Sequence, residues 1–251
     1  MTAAVGVLGV GLIGGSIGLC SRRNGARVVG YDCDPPALES ALAAGAIDAV
    51  ADAPELYARA DVVVIAMHLE ATLRELERLA RNPRGQGSAL ILDVSSVKVP
   101  VMTAAAGIGS FVGTHPMAGS ERAGVLAARA DLFQGAAWAY VPTGRESLDA
   151  QACDFIRSCG ANALAVDAAD HDRIVALTSH VPAILASRYG DLYQGEGDAR
   201  QLCGPVAREL LRIGELNPAM WRPILRANGR NVAPHLRRLA RELEAAAETL
   251  S

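Results

Sequence analysis

The chain has 251 residues, which suits one large domain or two smaller ones with ample material for a core. Hydrophobic residues make up 51% of it and aromatic residues only 4%, so the core is aliphatic, as in α/β proteins with a buried parallel sheet. The net charge of −3 argues against broad nucleic-acid binding.

Residue patterning favours a cytoplasmic protein without a membrane partner or a metal ion. Residues 3–20 are uncharged, but no basic residue precedes them and several glycines interrupt them, so we expect no signal peptide. No other uncharged apolar run approaches the length of a membrane span. Five scattered cysteines without metal-ligand spacing predict free thiols in a reducing compartment: Cys20, Cys33, Cys153, Cys159 and Cys203.

The first part of the chain alternates short apolar runs with helical patterns. Runs rich in Val and Ile and bounded by turn residues predict strands at 5–8, 27–31, 61–67 and 89–94. Helical spacing predicts helices at 13–24, 35–44 and 70–81. Because strands and helices alternate, we expect a parallel sheet with right-handed crossovers.

Farther along the chain the strand signals continue and then stop. Strands are predicted at 111–112, 136–141 and 161–166, with a helix at about 147–159. After Asp167 the pattern is almost entirely helical. We therefore expect a doubly wound α/β domain over residues 1–168, followed by an all-helical domain over residues 169–251.

Two features stand out in the helical part. Pro182 cannot donate a hydrogen bond to the Thr178 carbonyl, which predicts a kink or break near His180. The segment Pro234–Leu250 has leucines and alanines at a spacing of three to four residues, which predicts an amphipathic helix. That helix would either dock on its own domain or form a subunit interface.

A glycine-rich turn follows the first predicted strand, Gly9-Val10-Gly11-Leu12-Ile13-Gly14. Gly9 permits the tight turn, Gly11 allows close approach of a pyrophosphate, and Gly14 allows the helix to pack on the strand. The helix begins near Leu12 and Ile13, where exposed N–H groups and the helix dipole favour phosphate. Strand, glycines and helix together predict a Rossmann-type dinucleotide site.

Asp32 ends the second predicted strand, 18 residues beyond Gly14. A carboxylate in that place accepts hydrogen bonds from the adenosine ribose hydroxyls and repels a 2′-phosphate. The next residues are Cys33 and Asp34 rather than Arg or Lys. The predicted cofactor is therefore NAD rather than NADP.

Polar residues follow the next two predicted strands, where a Rossmann sheet opens onto its ligand crevice. Ser95 and Ser96 come directly after strand 89–94 as candidate hydroxyl groups beside nicotinamide and substrate. They are also candidates for the N-cap of a helix over 97–106, and the two roles can coexist. His115 is predicted to end the strand that begins at 111, in the same crevice. A neutral imidazole can accept a hydroxyl proton there, although a buried core histidine is the alternative.

With these residues and the blocks around them, the chain resembles a known family, the prephenate/arogenate dehydrogenases of tyrosine biosynthesis. The matching blocks, in chain order, are GVLGVGLIGGS, DVSSVK, THPMAGSE with Gly124 following, Thr178-Ser179-His180-Val181-Pro182, and Arg212-Ile213 ahead of Asn217-Pro218-Ala219-Met220-Trp221. The resemblance implies an N-terminal Rossmann domain and a helical C-terminal domain that forms a homodimer. It also implies NAD-dependent oxidative decarboxylation of prephenate to 4-hydroxyphenylpyruvate.

The resemblance further implies a role for each matching residue. His115 corresponds to the catalytic histidine that binds the ring hydroxyl of the substrate, and Ser96 to a serine near that hydroxyl and the nicotinamide. His180 corresponds to a substrate-binding histidine, and Arg212 to an arginine that pairs with a substrate carboxylate. Glu121 corresponds to an acidic residue near the mouth of the site.

One stretch departs from the family pattern. Members carry a Gly-Gly-Phe-type run with Asp and Thr before the arginine, whereas residues 204–211 here are GPVARELL. Because that run shapes the side-chain pocket, prephenate, arogenate and an amino-substituted analogue all remain open as substrates. Arg208 is an alternative clamp on the same helical face. Since the sequence stops at Ser251, we expect no regulatory domain.

Two other function classes compete with this interpretation. The β-hydroxyacid dehydrogenases share the Rossmann start but use a lysine in the second domain, and residues 169–251 contain no lysine. A non-catalytic NAD-sensing module would keep the glycine turn but would not need His115, His180 and Arg212.

Overall fold

The computed structural model describes residues 3–82, 87–120, 122–193 and 201–250, and the chain divides into two compact units, Met1–Ala168 and Ala169–Ser251. The first unit contains a six-stranded sheet: β1 (Ala4–Leu8), β2 (Arg27–Tyr31), β3 (Ala49–Val50), β4 (Val62–Ile65), β5 (Leu90–Asp93) and β6 (Phe111–Val112). All neighbouring strands pair in parallel, in the order β3-β2-β1-β4-β5-β6. This confirms the predicted doubly wound α/β fold.

The helices of this unit follow the strands: α1 (Leu12–Arg23), α2 (Pro35–Ala43), α3 (Ala53–Arg59), α4 (Leu69–Arg81), α5 (Val99–Ala104) and α6 (Glu146–Ser158). The central strands are apolar throughout because helices cover both faces of a parallel sheet. Strand β3 and helix α3 were missed by the sequence analysis. Helix α3 has a recognisable start, since the Asp52 side chain accepts a hydrogen bond from the Glu55 N–H at 2.9 Å.

The segment after β6 does not extend the parallel sheet. A three-stranded sheet forms from β7 (Thr114–Pro116), β8 (Ala137–Tyr140) and β9 (Asn162–Ala165), with β7 antiparallel to β8 and β8 parallel to β9. The prediction that His115 ends the strand beginning at 111 was therefore wrong. Strand β6 stops at Val112, and His115 is the middle residue of β7, opposite Ala139.

The described residues of the second unit are almost entirely helical, as predicted. It contains α7 (Ala168–Val175), a π-helical turn (Ala176–His180), α8 (Val181–Asp191), α9 (Pro205–Gly214), α10 (Pro218–Ala227) and α11 (Gly229–Glu248). The predicted break near Pro182 takes the form of the π-helical turn. Pro182 lies in the first turn of α8, directly after the π-helical turn, where its missing N–H and its ring interrupt the regular ladder of helical hydrogen bonds.

The C-terminal helix begins earlier than the sequence indicates. Helix α11 starts at Gly229 and includes Pro234, whereas the predicted helix began at Pro234. Leu236 and Leu239 pack on a small core within the unit, while Leu243 is 59% exposed. One end of the amphipathic stripe thus docks on its own domain. None of the helices in the described ranges is long and apolar enough to cross a bilayer.

Candidate active site

The glycine turn between β1 and α1 has the backbone geometry that its sequence requires. Gly9 has a φ of 93°, and a Cβ atom there would lie 2.5 Å from the Ala66 carbonyl oxygen. A Cβ on Gly14 would lie 1.9 Å from the Gly9 carbonyl oxygen. Both positions therefore exclude every residue with a side chain, for the reasons that the motif predicts.

The first turn of α1 is open for a ligand. Gly11 is the N-cap residue and supplies no side-chain cap, and a Cβ built on it meets no atom within 4 Å. The N–H groups at the start of the helix, at Leu12 and Ile13, thus donate no hydrogen bond to a side chain of the cap residue. A helix start of this kind favours an anionic ligand such as a pyrophosphate.

Asp32 lies beside this turn, directly after β2. Its Oδ2 atom accepts a hydrogen bond from the Val10 N–H at 2.9 Å, and its Oδ1 atom accepts one from the Asp34 N–H at 3.0 Å. The carboxylate is therefore held against the glycine turn by backbone donors. Each oxygen keeps a second lone pair that can accept a ribose hydroxyl.

A buried polar network joins the end of β5 to the start of β7. The Asp93 carboxylate accepts hydrogen bonds from the Thr114 N–H at 2.9 Å, from the Ser95 N–H at 2.9 Å and from Lys98 Nζ at 2.6 Å. Lys98 also donates to the Thr114 carbonyl, and Trp138 Nε1 donates to Thr114 Oγ1 at 2.9 Å. Asp93, Lys98 and Thr114 are each 0% exposed.

This network holds the two segments that carry the predicted crevice residues. One carboxylate binds the backbone of Ser95 and of Thr114, so Ser96 and His115 each follow a residue that Asp93 holds in place. Asp93 and Lys98 belong to the matching block DVSSVK, but no role was predicted for either residue. The sequence did contain a signal that Lys98 has a special role, because it is the only lysine in the chain.

The two serines differ in their surroundings. Ser95 is 8% exposed, and its Oγ atom has no hydrogen-bond partner among the described residues. Ser96 is half-buried. Neither caps the following helix, since α5 begins at Val99 with Lys98 as its N-cap residue, so the candidate role as an N-cap is wrong. A buried hydroxyl without a partner is costly, which favours a ligand at Ser95.

His115 is half-buried on β7. Successive side chains of a strand point to opposite faces. The Thr114 hydroxyl binds Trp138 and the Asp93 carbonyl on one face, which places the His115 imidazole on the other. The fold therefore directs His115 away from the buried network.

In the helical unit, His180 ends the π-helical turn and is 1% exposed. Its Nδ1 atom lies 3.1 Å from Nδ2 of Asn228, and its ring contacts Trp221 edge-on with 6.0 Å between centroids. Burial lowers the pKa of His180 to about 4, an effect that His171 reinforces and Asp172 opposes. His180 is therefore neutral at physiological pH. Asn228 was missed by the sequence analysis.

Arg212 lies in the last turn of α9 and is engaged with its own helix. Its Nη2 and Nε atoms lie 2.6 Å and 2.9 Å from the two carboxylate oxygens of Glu209. Arg208 instead donates from Nε to the Cys203 carbonyl at 2.9 Å. Close packing positions this helix, because a Cβ on Gly214 would lie 2.4 Å from the Ala186 carbonyl oxygen.

Glu121, the last of the predicted substrate-binding residues, lies outside the described residues.

Each unit thus assembles its own part of the predicted site. In the first unit, the glycine turn and Asp32 are joined by a hydrogen bond, and Ser95 and Thr114 are joined through Asp93. In the second unit, His180 belongs to a polar cluster around Asn228, whereas Arg212 pairs with Glu209.

Comparison with known proteins assigns both units to one family of enzymes. Residues 17–165 match the family model described as the nucleotide-binding domain of prephenate dehydrogenase. Residues 167–251 match the model described as the prephenate dehydrogenase dimerization domain. The two models together span most of the chain.

Individual relatives agree with the family models. The chain is 34% identical to NovF, a probable prephenate dehydrogenase of Streptomyces niveus, over 97% of this chain and 68% of that protein. It is 35% identical to a prephenate dehydrogenase of Bacillus subtilis, over 94% of this chain and 67% of that protein. The crystal structure of Synechocystis arogenate dehydrogenase is 26% identical, with a TM-score of 0.78 over 98% of this chain and 91% of that one. This chain belongs to the prephenate dehydrogenase family.

Proposed function

We propose that the chain catalyses the NAD-dependent oxidative decarboxylation of prephenate, in the reaction that leads to tyrosine, with arogenate or an amino-substituted prephenate as the alternative substrate. The observation that carries the proposal is the Asp93 carboxylate, which binds the backbone next to both Ser96 and His115. The segments that carry Ser96 and His115 follow β5 and β6. Because the sheet is parallel, they leave it at the same edge as the glycine turn, which follows β1.

The residues around the glycine turn fit NAD. The open start of α1 suits the pyrophosphate, the Asp32 carboxylate suits the adenosine ribose, and the unpartnered Ser95 hydroxyl suits a polar group of the nicotinamide. NAD, when bound, supplies the acceptor for the hydride that leaves the substrate. An aspartate without a neighbouring cation disfavours the 2′-phosphate of NADP.

His115 serves as the proton acceptor in this proposal. The substrate loses the hydroxyl proton to the imidazole and a hydride from the same carbon, while the ring carboxylate leaves as CO₂ and its bonding electrons enter the ring. The immediate products are an aromatic phenolate, CO₂, the hydride on the cofactor and a protonated His115. Return of the proton from His115 to the phenolate oxygen gives the phenol and restores the neutral imidazole. Because aromatisation drives the reaction, the protein needs mainly to orient the substrate and accept the proton.

The test is the formation of NADH when prephenate or arogenate is added to the protein with NAD. We expect turnover with at least one of the two, and their ratio of kcat/KM identifies the substrate. NAD binding without turnover of either compound would instead favour an NAD-sensing module.

Replacing Asp32 by Ser should weaken the preference for NAD over NADP. The serine hydroxyl can still bind a ribose oxygen but no longer repels a 2′-phosphate. The measurement is kcat/KM for both cofactors in the wild type and in Asp32→Ser, with Asp34→Ser as the matched control, because Asp34 is nearby but makes no side-chain cap bond. Equal use of both cofactors by the wild type would contradict the assignment.

Arg212 is proposed as the clamp for a substrate carboxylate. Its guanidinium already binds one carboxylate with two parallel hydrogen bonds, which is the geometry the clamp needs. A substrate must then displace Glu209, whose side chain is 56% exposed and free to move into solvent. Competition with Glu209 makes this clamp weaker than an unpaired arginine.

Replacing Arg212 by Ala should raise KM for the substrate more than it lowers kcat, if the pair forms equally in the ground and transition states. Glu209→Gln should lower KM, because it removes the competing charge and keeps the side-chain shape. Arg208→Ala is the matched control, since Arg208 binds the Cys203 carbonyl instead. If KM rose in Arg208→Ala and not in Arg212→Ala, the clamp would be Arg208, one helical turn earlier.

The helical unit is also proposed to form a homodimer. Its family model is the dimerization domain, and several of its large apolar side chains are more than half exposed: Leu177, Leu192, Leu202, Val206, Leu243 and Leu250. Burial of such side chains against a second copy of the chain would remove apolar area from water and so stabilise the dimer.

A further inference from the structure

The polar cluster around His180 determines which of its ring nitrogens carries the proton. Asn228 lies at the centre of this cluster and is 1% exposed. Its Nδ2 atom lies 2.7 Å from the Asp172 carbonyl oxygen and 3.1 Å from Nδ1 of His180. Its Oδ1 atom lies 2.7 Å from Nδ2 of Asn231.

The orientation of the Asn228 amide follows from these partners. A backbone carbonyl oxygen can only accept, so the amide atom facing Asp172 must be the nitrogen. The amide oxygen then faces the donor of Asn231, which is consistent. The second hydrogen on the amide nitrogen is available for His180, so Nδ1 of His180 must be the acceptor.

A neutral imidazole with an acceptor at Nδ1 carries its proton at Nε2. Protonation of both nitrogens would set an N–H group against the amide N–H of Asn228. Burial opposes the charged form as well, which is why the pKa of His180 is lowered despite the nearby Asp172 carboxylate. Within the described part of the chain, Nε2 has no hydrogen-bond partner, so its N–H is available to a ligand.

We propose that Asn228 is a positioning residue that holds His180 as the neutral Nε2–H tautomer, so that His180 donates a hydrogen bond to an acceptor oxygen of the substrate and does not act as a base. The substrate half of this inference rests on the proposed function. The claim that Asn228 fixes the Nε2–H tautomer of His180 is independent of the proposed function, because it depends only on contacts within the helical unit. The assignment separates the two histidines by role, with His115 as proton acceptor and His180 as hydrogen-bond donor.

The first test is nitrogen NMR of the unliganded full chain labelled with ¹⁵N-histidine. The chain has five histidines, and the spectrum of a His180→Gln variant identifies the His180 signals by their absence. Between about pH 6 and pH 8 we expect a protonated Nε2 and an unprotonated Nδ1. A proton on Nδ1, or a doubly protonated ring in that range, would overturn the proposal without any measurement of activity.

The second test exchanges the donor for an acceptor. In Asn228→Asp, a carboxylate faces Nδ1, so the proton should move to Nδ1 and the pKa of His180 should rise. Asn231→Ala is the matched control, because it removes a neighbour of Asn228 but leaves the donor to His180 in place. If Asn228→Asp does not fold, Asn228→Ala removes the donor without adding a charge, and the Nε2–H form should then lose its dominance. Retention of the wild-type tautomer in the folded variant would contradict a positioning role.

The kinetic test uses the substrate identified by turnover of the wild type. Loss of a hydrogen bond to a charged acceptor should raise KM about tenfold or more in the Asn228 variants, with a smaller change in kcat, and leave the Asn231→Ala enzyme near wild type. An unchanged KM together with a shifted tautomer would overturn the substrate contact alone. Absence of turnover in the wild type would count against the proposed function, while the NMR result would still decide the tautomer.

Discussion

Replacing His115 by Asn is expected to lower kcat about 10²-fold or more, the usual scale for loss of a general base. Asparagine keeps part of the shape and hydrogen bonding of histidine but cannot take up a proton near neutral pH. The affinity for NAD should stay nearly unchanged, because the glycine turn and Asp32 lie on other elements. The measurement is steady-state kinetics with the preferred substrate, together with titration of NAD binding.

The matched control is His235→Asn, the same substitution at a half-buried position on α11. This variant should keep kcat within a factor of about two, as for a change away from the reacting groups. If His115→Asn instead raised KM and left kcat intact, His115 would be a binding residue. The proton would then need another acceptor, and the mechanism proposed above would be wrong.

The parts of the fold that the sequence predicts well are those governed by local patterns. Buried parallel strands are short apolar runs rich in Val, Leu and Ile, so β1, β2, β4 and β5 were found within two residues at each end. The glycine turn was equally clear, because close backbone contacts at Gly9 and Gly14 leave no other residue type possible. In both cases, a few adjacent residues carry the whole physical requirement.

The parts that the sequence analysis missed depend on contacts between distant segments. Strand β7 pairs with β8 across a long loop, so nothing adjacent to His115 shows that it has left the parallel sheet. Asn228 reaches His180 from 48 residues away, and no spacing rule connects them. The ion pair between Arg212 and Glu209 was within reach, because residues three apart on a helix are neighbours.

The Asp93–Lys98 pair shows why such contacts matter for the site. The two residues are only five apart, but their importance comes from burial, which the sequence does not show. A buried carboxylate and ammonium lose much of their hydration, so the pair is stable only while each group keeps its partners. The same contacts that satisfy the charges also hold the backbone of Ser95 and Thr114. Stability of the first unit and geometry of the crevice are therefore coupled.

Replacing Lys98 by Met is expected to lower the free energy of unfolding by about 3–5 kcal/mol, the usual cost of removing one partner from a buried ion pair. Methionine fills a similar volume but leaves the Asp93 carboxylate buried without its cation. Urea unfolding followed by Trp138 fluorescence reports on this unit, because Trp138 is 0% exposed and hydrogen-bonded to Thr114. A Trp221→Phe background removes the other tryptophan signal.

The double variant Asp93→Asn/Lys98→Met separates the buried charge from the shape of the pair. With neither charge present, the loss of stability should be smaller than the sum of the two single losses, because no uncompensated ion remains. Its kcat should still fall, since an asparagine has a single acceptor oxygen and cannot hold the Ser95 and Thr114 N–H groups on separate oxygens as Asp93 does. If Lys98→Met lowered the free energy of unfolding by less than about 1 kcal/mol, the ion pair would behave like a solvent-exposed one. That result would mean that water reaches this network.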